Sequence, residues 1–150
     1  MRRASVWGVV AVLALFVAIV AMHRGPGQGR EGTGGSSVLP WERDLPTALE
    51  RAGNEKKLVM VDLYTDWCGW CRRLDQTTLS DSSVQRALAR VVSVRLNAEK
   101  DGMEIARRFN VDGYPTILFL NASGDEVGRI PGYLEPRPFL AVVEQIMKKA

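Results

Sequence analysis

The pentapeptide Trp-Cys-Gly-Trp-Cys at residues 67–71 constrains this chain more than any other segment, because it contains both of the cysteines. Cys68 and Cys71 are three positions apart, so on a helix they would share a face, one turn apart and within reach of a disulfide. This spacing is typical of redox-active dithiols and also of half a zinc site. Zinc needs about four ligands, and the lone histidine, His23, is remote in sequence. We therefore predict a redox pair and no metal.

The residues that flank the pair predict its chemistry. Residues 57–64 form a short apolar run rich in β-formers, which predicts a buried strand ahead of the cysteines. Leu74 continues a helical pattern after them, which places Cys68 at a helix N-terminus, where free backbone N–H groups stabilise a thiolate. We predict Cys68 as the solvent-reachable nucleophile and Cys71 as the resolving thiol. A structural disulfide is the alternative, although so short a loop gains little stability.

The charge distribution separates the N-terminal part from the rest. Residues 1–37 contain four arginines and one glutamate, which accounts for the formal charge of +3. Residues 38–150 contain sixteen basic and sixteen acidic side chains, with no clustered basic face. We therefore predict no nucleic-acid partner.

The apolar N-terminal segment predicts export of the domain that follows it. Residues 4–22 are uncharged and long enough to span a bilayer, and Arg2 and Arg3 precede them. This layout predicts a single transmembrane helix with a cytoplasmic N-terminus and the remainder in the periplasm. A cleaved signal peptide, giving a secreted protein, has the same layout. We assign residues 1–23 to the anchor or signal, 24–38 to a flexible Gly-rich linker, and 39–150 to one folded domain.

Within the domain, helical and strand patterns alternate. Helices are predicted from the Asp44 cap to about residue 52, after the cysteines, from Ser80 or Asp81 through 88, and over 103–109 and 135–149. Strands are predicted at 57–64, 91–96, 116–120 and 126–130, with a hairpin turn at 121–125. This order predicts an α/β domain, a mixed central sheet with helices on both faces.

Three motifs in this order resemble the thioredoxin-like family: Trp-Cys-x-x-Cys after a strand, Gly-Tyr-Pro-Thr at 113–116 before the next, and Gly132 after the last. Residues 61–68, 79–81 and 115–119 most resemble the C-terminal domain of the membrane thiol:disulfide interchange proteins. The resemblance covers about residues 40–148. It implies a thioredoxin fold, thiol:disulfide exchange without a cofactor, and two carboxylates beside the cysteines.

Those carboxylates are Asp62 and Asp75. Asp62 lies in an otherwise apolar strand, where an unpaired carboxylate is costly to bury. The resemblance implies that it is buried behind the cysteines and exchanges a proton with the resolving thiol. Asp75 comes four residues after Cys71, one turn further along the same helical face, where the resembled domain also has an acid. We expect both to act as proton relays, and we interpret Arg95, where thioredoxins often carry lysine, as a surface residue.

The remaining candidate residues would contact the substrate. The resemblance implies a cis peptide bond at Tyr114–Pro115 facing the cysteines, with the Tyr114 backbone free to pair with an extended client. Gly69 allows close approach, and Trp70 is either an exposed docking surface or a ring folded against the domain. Trp67 is assigned to the same surface, although packing is the simpler interpretation of its ring.

Together these features predict a membrane-tethered, extracytoplasmic thiol:disulfide oxidoreductase that reduces disulfides in exported proteins. Apocytochrome c thiols are one candidate substrate, and a transmembrane electron carrier is the expected reductant. Two alternatives remain open at this point. One is a disulfide oxidase or isomerase of the same fold, and the other is a Cu(I)-delivery module, because soft thiolates suit that ion.

Overall fold

The computed structural model describes residues 39–150. The predicted anchor or signal at 1–23 and the predicted Gly-rich linker at 24–38 lie outside these residues. Within the described range, no helix combines the length and the apolar character needed to cross a bilayer.

The domain consists of five strands and five helices among the described residues. The strands are β1 (Trp41–Glu42), β2 (Val59–Tyr64), β3 (Val92–Asn97), β4 (Thr116–Leu120) and β5 (Glu126–Pro131). The helices are α1 (Leu45–Glu55), α2 (Gly69–Thr77), α3 (Ser82–Leu88), α4 (Met103–Arg108) and α5 (Pro136–Lys149). Apart from β1, and from the end of α2, which the sequence analysis did not specify, every element was predicted to within about three residues at each end.

Two aspartates fix the helix starts that the sequence predicted. The Asp44 side chain accepts a hydrogen bond from the Thr47 amide at 2.8 Å and caps α1. Asp81 accepts from the amides of Ser83 and Val84 and caps α3. Each carboxylate satisfies backbone donors that the first helical turn leaves unpaired.

The sheet is mixed, with strand order β1-β3-β2-β4-β5. β3 runs parallel to β1 and β2, whereas β4 runs antiparallel to β2 and β5. The carboxyl ends of β2 and β3 are therefore adjacent, with Tyr64 opposite Asn97. The cysteine segment leaves the sheet from this edge.

Helices cover both faces of the sheet, as predicted. On one face, Met60 and Phe119 pack in a cluster with Leu74 of α2 and Phe139 of α5. On the other face, the alternate strand residues pack against the apolar sides of α1 and α4. Strand side chains alternate between faces, so Asp62 shares a face with Met60 and with the cysteine helix α2.

Candidate functional site

Cys68 and Cys71 form a disulfide in this structure, with an S–S distance of 2.07 Å. Cys68 is the N-cap residue of α2, and its sulfur accepts a hydrogen bond from the Cys71 amide at 3.0 Å. The position at the N-terminus of a helix was predicted, and it stabilises negative charge on this sulfur when the pair is reduced. The Cys68 sulfur therefore lies at the positive end of the helix dipole.

The pair is less exposed than the sequence led us to expect. Cys68 is 4% exposed and Cys71 is 2% exposed. Both cysteines line an open cavity of about 320 Å³ together with Thr65, Asp75 and Arg95. Asp75 and Arg95 therefore lie on the same open cavity as the disulfide.

Asp62 is fully buried, as predicted. Neither of its carboxylate oxygens has a hydrogen-bond partner among the described residues, and the Thr65 hydroxyl is similarly unsatisfied. Burial raises the pKa of Asp62 to about 7; the Arg95 guanidinium opposes this shift and the like charge of Asp75 adds to it. A carboxyl group with this pKa is able to accept and release a proton near neutral pH.

Arg95 links the two acids, so its interpretation as a surface residue is wrong. Its side chain is 26% exposed, with Nε 3.2 Å from Oδ2 of Asp62 and Nη2 2.7 Å from Oδ2 of Asp75. The Nη2 contact is a hydrogen bond. The Nε contact lacks hydrogen-bond alignment, because both atoms remain unsatisfied, and we treat it as an ion pair. The guanidinium also lies over the Tyr64 ring, with Cζ 4.6 Å from its centroid.

Asp75 lies beside the disulfide, and it is the exposed member of the acid pair. Its side chain is 34% exposed, whereas that of Asp62 is 1% exposed. Asp75 and Arg95 line the cysteine cavity and also a second cavity of about 290 Å³, bordered by Leu39 and Trp41. The ion pair therefore contacts both cavities, only one of which is lined by cysteine.

Trp67 is 66% exposed, so the packing interpretation of its ring is wrong. Its indole nitrogen donates to Oε1 of Glu99 at 2.9 Å, and its edge faces Tyr114 with centroids 6.4 Å apart. These contacts fix an apolar ring on the cis-proline side of the disulfide.

Trp70 combines the two alternatives that the sequence left open. The ring lies 5.4 Å from that of Tyr133, yet the residue remains 57% exposed. The Arg73 guanidinium lies 5.8 Å from the Trp70 centroid and 5.4 Å from that of Tyr133. The Tyr133 hydroxyl is 3.1 Å from that of Thr77. This ring is thus both packed on one side and open on the other.

The Tyr114–Pro115 bond is cis, as the resemblance implied. The loop is tied to the sheet, because the Pro115 carbonyl accepts from the Gly132 amide at 2.8 Å. Gly132 has a φ of 84°, which favours glycine. Gly69, by contrast, is exposed, and a Cβ there would meet only the Arg72 side chain, at 3.8 Å. The fold itself therefore does not require glycine at position 69.

A family model described as "Thioredoxin-like domain" matches residues 45–147. The chain belongs to the thioredoxin-like family. With its Cys-x-x-Cys disulfide at the N-terminus of α2, the domain is a thiol:disulfide oxidoreductase, as the sequence predicted.

Among curated proteins, the chain is similar to several that are named thiol:disulfide interchange protein DsbD. The protein of Actinobacillus pleuropneumoniae is 39% identical over 119 residues, which is 74% of this chain and 20% of the relative. That of Yersinia enterocolitica is 37% identical over 109 residues, 69% of this chain and 19% of the relative. The chain thus spans about a fifth of the length of these relatives, and the predicted resemblance is confirmed.

Solved structures agree on the fold. A thioredoxin from Thermus thermophilus is 34% identical with a TM-score of 0.67, covering 73% of this chain and 88% of that one. The oxidised DsbD C-terminal domain of Neisseria meningitidis has a TM-score of 0.56 at 18% identity, covering 70% and 88%. At 18% identity, the comparison with the Neisseria meningitidis domain supports the fold alone.

Proposed function

We propose that this protein is an extracytoplasmic disulfide reductase, tethered to the membrane by residues 4–22. The observation that carries the proposal is the position of Cys68. Its sulfur caps α2, bonds to Cys71 one turn away, and lines an open cavity. The likeness to thiol:disulfide interchange proteins supports the same chemistry.

The reaction starts from the reduced pair. The Cys68 thiolate attacks one sulfur of a client disulfide, that S–S bond breaks, and one client thiolate leaves and takes up a proton. The Cys71 thiol gives up its proton and attacks the Cys68 sulfur of the mixed disulfide, which releases the second client sulfur. The client gains two electrons and two protons, and the Cys68–Cys71 disulfide forms.

Asp62 and the exposed rings have roles in this cycle. Asp62 serves as the base for the Cys71 proton, since its pKa of about 7 suits proton transfer at neutral pH. Trp67 and Trp70, which are both exposed and adjacent to the cysteines in the chain, contact the client, and the backbone of Tyr114 pairs with an extended client segment. A dithiol of a transmembrane electron carrier returns two electrons to the pair.

The clients in this proposal are disulfides of exported proteins, with apocytochrome c among the candidates. Incubating the reduced full chain with insulin tests the activity, because reduction separates and precipitates the insulin chains. We expect turnover with dithiothreitol as reductant, and none from Cys68→Ser. Binding of one Cu(I) by the dithiol without any insulin reduction would favour the metal-delivery alternative.

A further inference from the structure

We propose that Arg73, together with the rings of Trp70 and Tyr133, forms a subsite beside the disulfide that selects client segments with an acidic side chain near the reacting cysteine. We call these three residues the aromatic ledge. The identity of the clients rests on the proposed function, whereas the charge preference of the ledge is a property of its own side chains.

The aromatic ledge lies next to the redox pair. Trp70 directly precedes Cys71 in α2, and Arg73 follows Trp70 by three residues on the same helical face. Tyr133 comes from the segment between β5 and α5, and its ring lies 5.4 Å from that of Trp70. Two separate segments of the chain therefore meet beside the cysteines.

The ledge also adjoins the loop that is proposed to bind the client backbone. The Gly132 amide donates to the Pro115 carbonyl at 2.8 Å, and Tyr133 is the next residue. A client strand that pairs with the Tyr114 backbone would therefore run close to the Tyr133 ring and to the Arg73 guanidinium. Side chains that flank the client cysteine are the ones that would meet this charge.

The Arg73 guanidinium lies against the two rings, and its charge is available to a client. Its Cζ is 5.8 Å from the Trp70 centroid and 5.4 Å from the Tyr133 centroid. Within residues 39–150, its one ion pair is with Glu135, whose Oε1 is 3.7 Å from Nη2, and both side chains are more than half exposed. So long and solvated a pair contributes little. A client carboxylate can therefore replace Glu135, and an arginine fork is able to bind it through two parallel hydrogen bonds.

Hydrogen bonds fix the parts of the ledge relative to one another. The Thr77 hydroxyl donates to the Arg73 carbonyl at 2.8 Å, and it lies 3.1 Å from the Tyr133 hydroxyl. The adjacent Thr78 hydroxyl donates to the Leu134 carbonyl at 2.6 Å. The end of α2 is thus tied to the segment after β5. Because the rings beside the guanidinium are already in place, less conformational entropy is lost when a client binds.

The test compares peptides that differ only in one charge near a single intramolecular disulfide. Each peptide carries Glu, Gln or Lys at one position within three residues of a cysteine. The reduced full chain in detergent micelles, freed of other thiols, is mixed with each peptide, and second-order rate constants are measured by quenched alkylation. Each constant is divided by that for dithiothreitol, which corrects for the effect of the added charge on the disulfide itself.

We expect the best Glu peptide to react about threefold to fivefold faster than its Gln counterpart, and the ratio to fall towards one at about 1 M salt. Arg73→Gln should abolish the preference, and Arg73→Glu should favour the Lys peptide instead. Glu135→Gln should strengthen the preference, because it removes the competing carboxylate and no side-chain capping bond of α5. Arg72→Gln is the charge-matched control, since Arg72 is also exposed but donates to the Asp66 carbonyl.

Equal rate constants for the Glu and Gln peptides at every position in the parent chain would overturn the proposal. A preference that persists in Arg73→Gln, or that is lost equally in Arg72→Gln, would also overturn it. The reverse reaction, in which the oxidised chain takes two electrons from the dithiol form of each peptide, passes through the same mixed disulfide and should show the same preference.

The two directions separate this proposal from the proposed function. If the oxidation of dithiol peptides shows the preference but neither peptide disulfides nor insulin are reduced, the subsite stands and the reductase assignment fails. If insulin is reduced but neither direction shows a preference, the reductase assignment stands and the subsite fails.

Discussion

Nε of Arg95 lies 3.2 Å from Oδ2 of Asp62, yet neither atom has an aligned hydrogen bond. The Arg95–Asp62 ion pair therefore lowers the free-energy cost of burying the carboxylate but does not remove it, because buried groups without hydrogen bonds destabilise the folded state. The remaining cost appears as the raised pKa of Asp62, about 7. Stability and proton transfer are thus coupled at one side chain.

Asp62→Asn should alter how stability depends on pH. A buried acid whose pKa rises from 3.8 to about 7 binds a proton more readily when folded. The contribution of Asp62 to the free energy of unfolding is therefore most favourable below about pH 4, and it is lost as the pH rises through about 7. Relative to the parent chain, Asp62→Asn should gain stability between pH 4 and pH 8, by an amount on the order of 4 kcal/mol at most.

Urea unfolding of the oxidised full chains at pH 4 and pH 8 measures this difference. Glu144→Gln, on the exposed side of α5, is the control for loss of an acid. A stability difference between Asp62→Asn and the parent that is the same at both pH values would contradict the assignment.

Cys71→Ser should trap clients. Without the resolving sulfur, the mixed disulfide between Cys68 and a client cannot be released by attack from within the domain. We expect adducts on non-reducing gels that disappear with dithiothreitol. Cys68→Ser should form few or none, because Cys71 lies one turn into α2 and not at the N-cap position that stabilises a thiolate. Equal trapping by both variants would reverse the assignment of nucleophile and resolving thiol.

Trp70→Ala should weaken client binding more than chemistry. The exposed face of this ring offers apolar area beside the disulfide, and removing such a contact commonly costs about 1 kcal/mol or more. We expect KM for a peptide disulfide to rise roughly fivefold, with kcat little changed. Met103→Ala is the control, since Met103 is also an exposed apolar residue, at 39%. An equal rise in KM in Met103→Ala would contradict the role of the Trp70 ring in docking the client.

Gly128→Ala should destabilise the domain. A Cβ at this position would lie 2.6 Å from Cγ1 and 2.7 Å from Cδ1 of Ile146, which packs α5 on β5. Overpacking of this kind costs about 1–3 kcal/mol, measurable by urea unfolding. Ile146→Ala in the same chain should relieve part of the clash. Gly113→Ala is the control, because a Cβ there meets nothing within 4 Å, and equal losses in both glycine variants would refute the packing explanation.

Much of the fold was predictable because its patterns are local. After Thr116, β4 is an apolar run, and the caps at Asp44 and Asp81 are encoded within three residues of each helix start. The strand β1 was not predicted, because two residues are too few to show the alternation of apolar and polar side chains that identifies a strand. Trp41 pairs with Ser93 only because the tertiary fold brings it beside β3.

The site was predictable where one motif specifies it and not where distant segments meet. The cysteine pair followed from its own neighbourhood, whereas the burial of Asp62 behind it was implied by the resemblance to thioredoxin-like proteins. Arg95 lies between the apolar residues Val94 and Leu96 in β3. Such alternation normally places the polar side chain on a solvent-facing side of the sheet. Here helices cover both faces, so Arg95 lies between the sheet and α2. An arginine opposite an aspartate on adjacent strands was the signal that could have found it.

The reduction potential of the Cys68–Cys71 pair tests the central claim most directly. The oxidised full chain is equilibrated with defined dithiothreitol and glutathione buffers, and the fraction of free thiol is measured by alkylation. Thioredoxin-fold potentials run from about −270 mV to about −120 mV. A reversible two-electron equilibrium below about −150 mV is the result that the reductase assignment predicts. A potential above that value, or a disulfide that does not equilibrate, would contradict it.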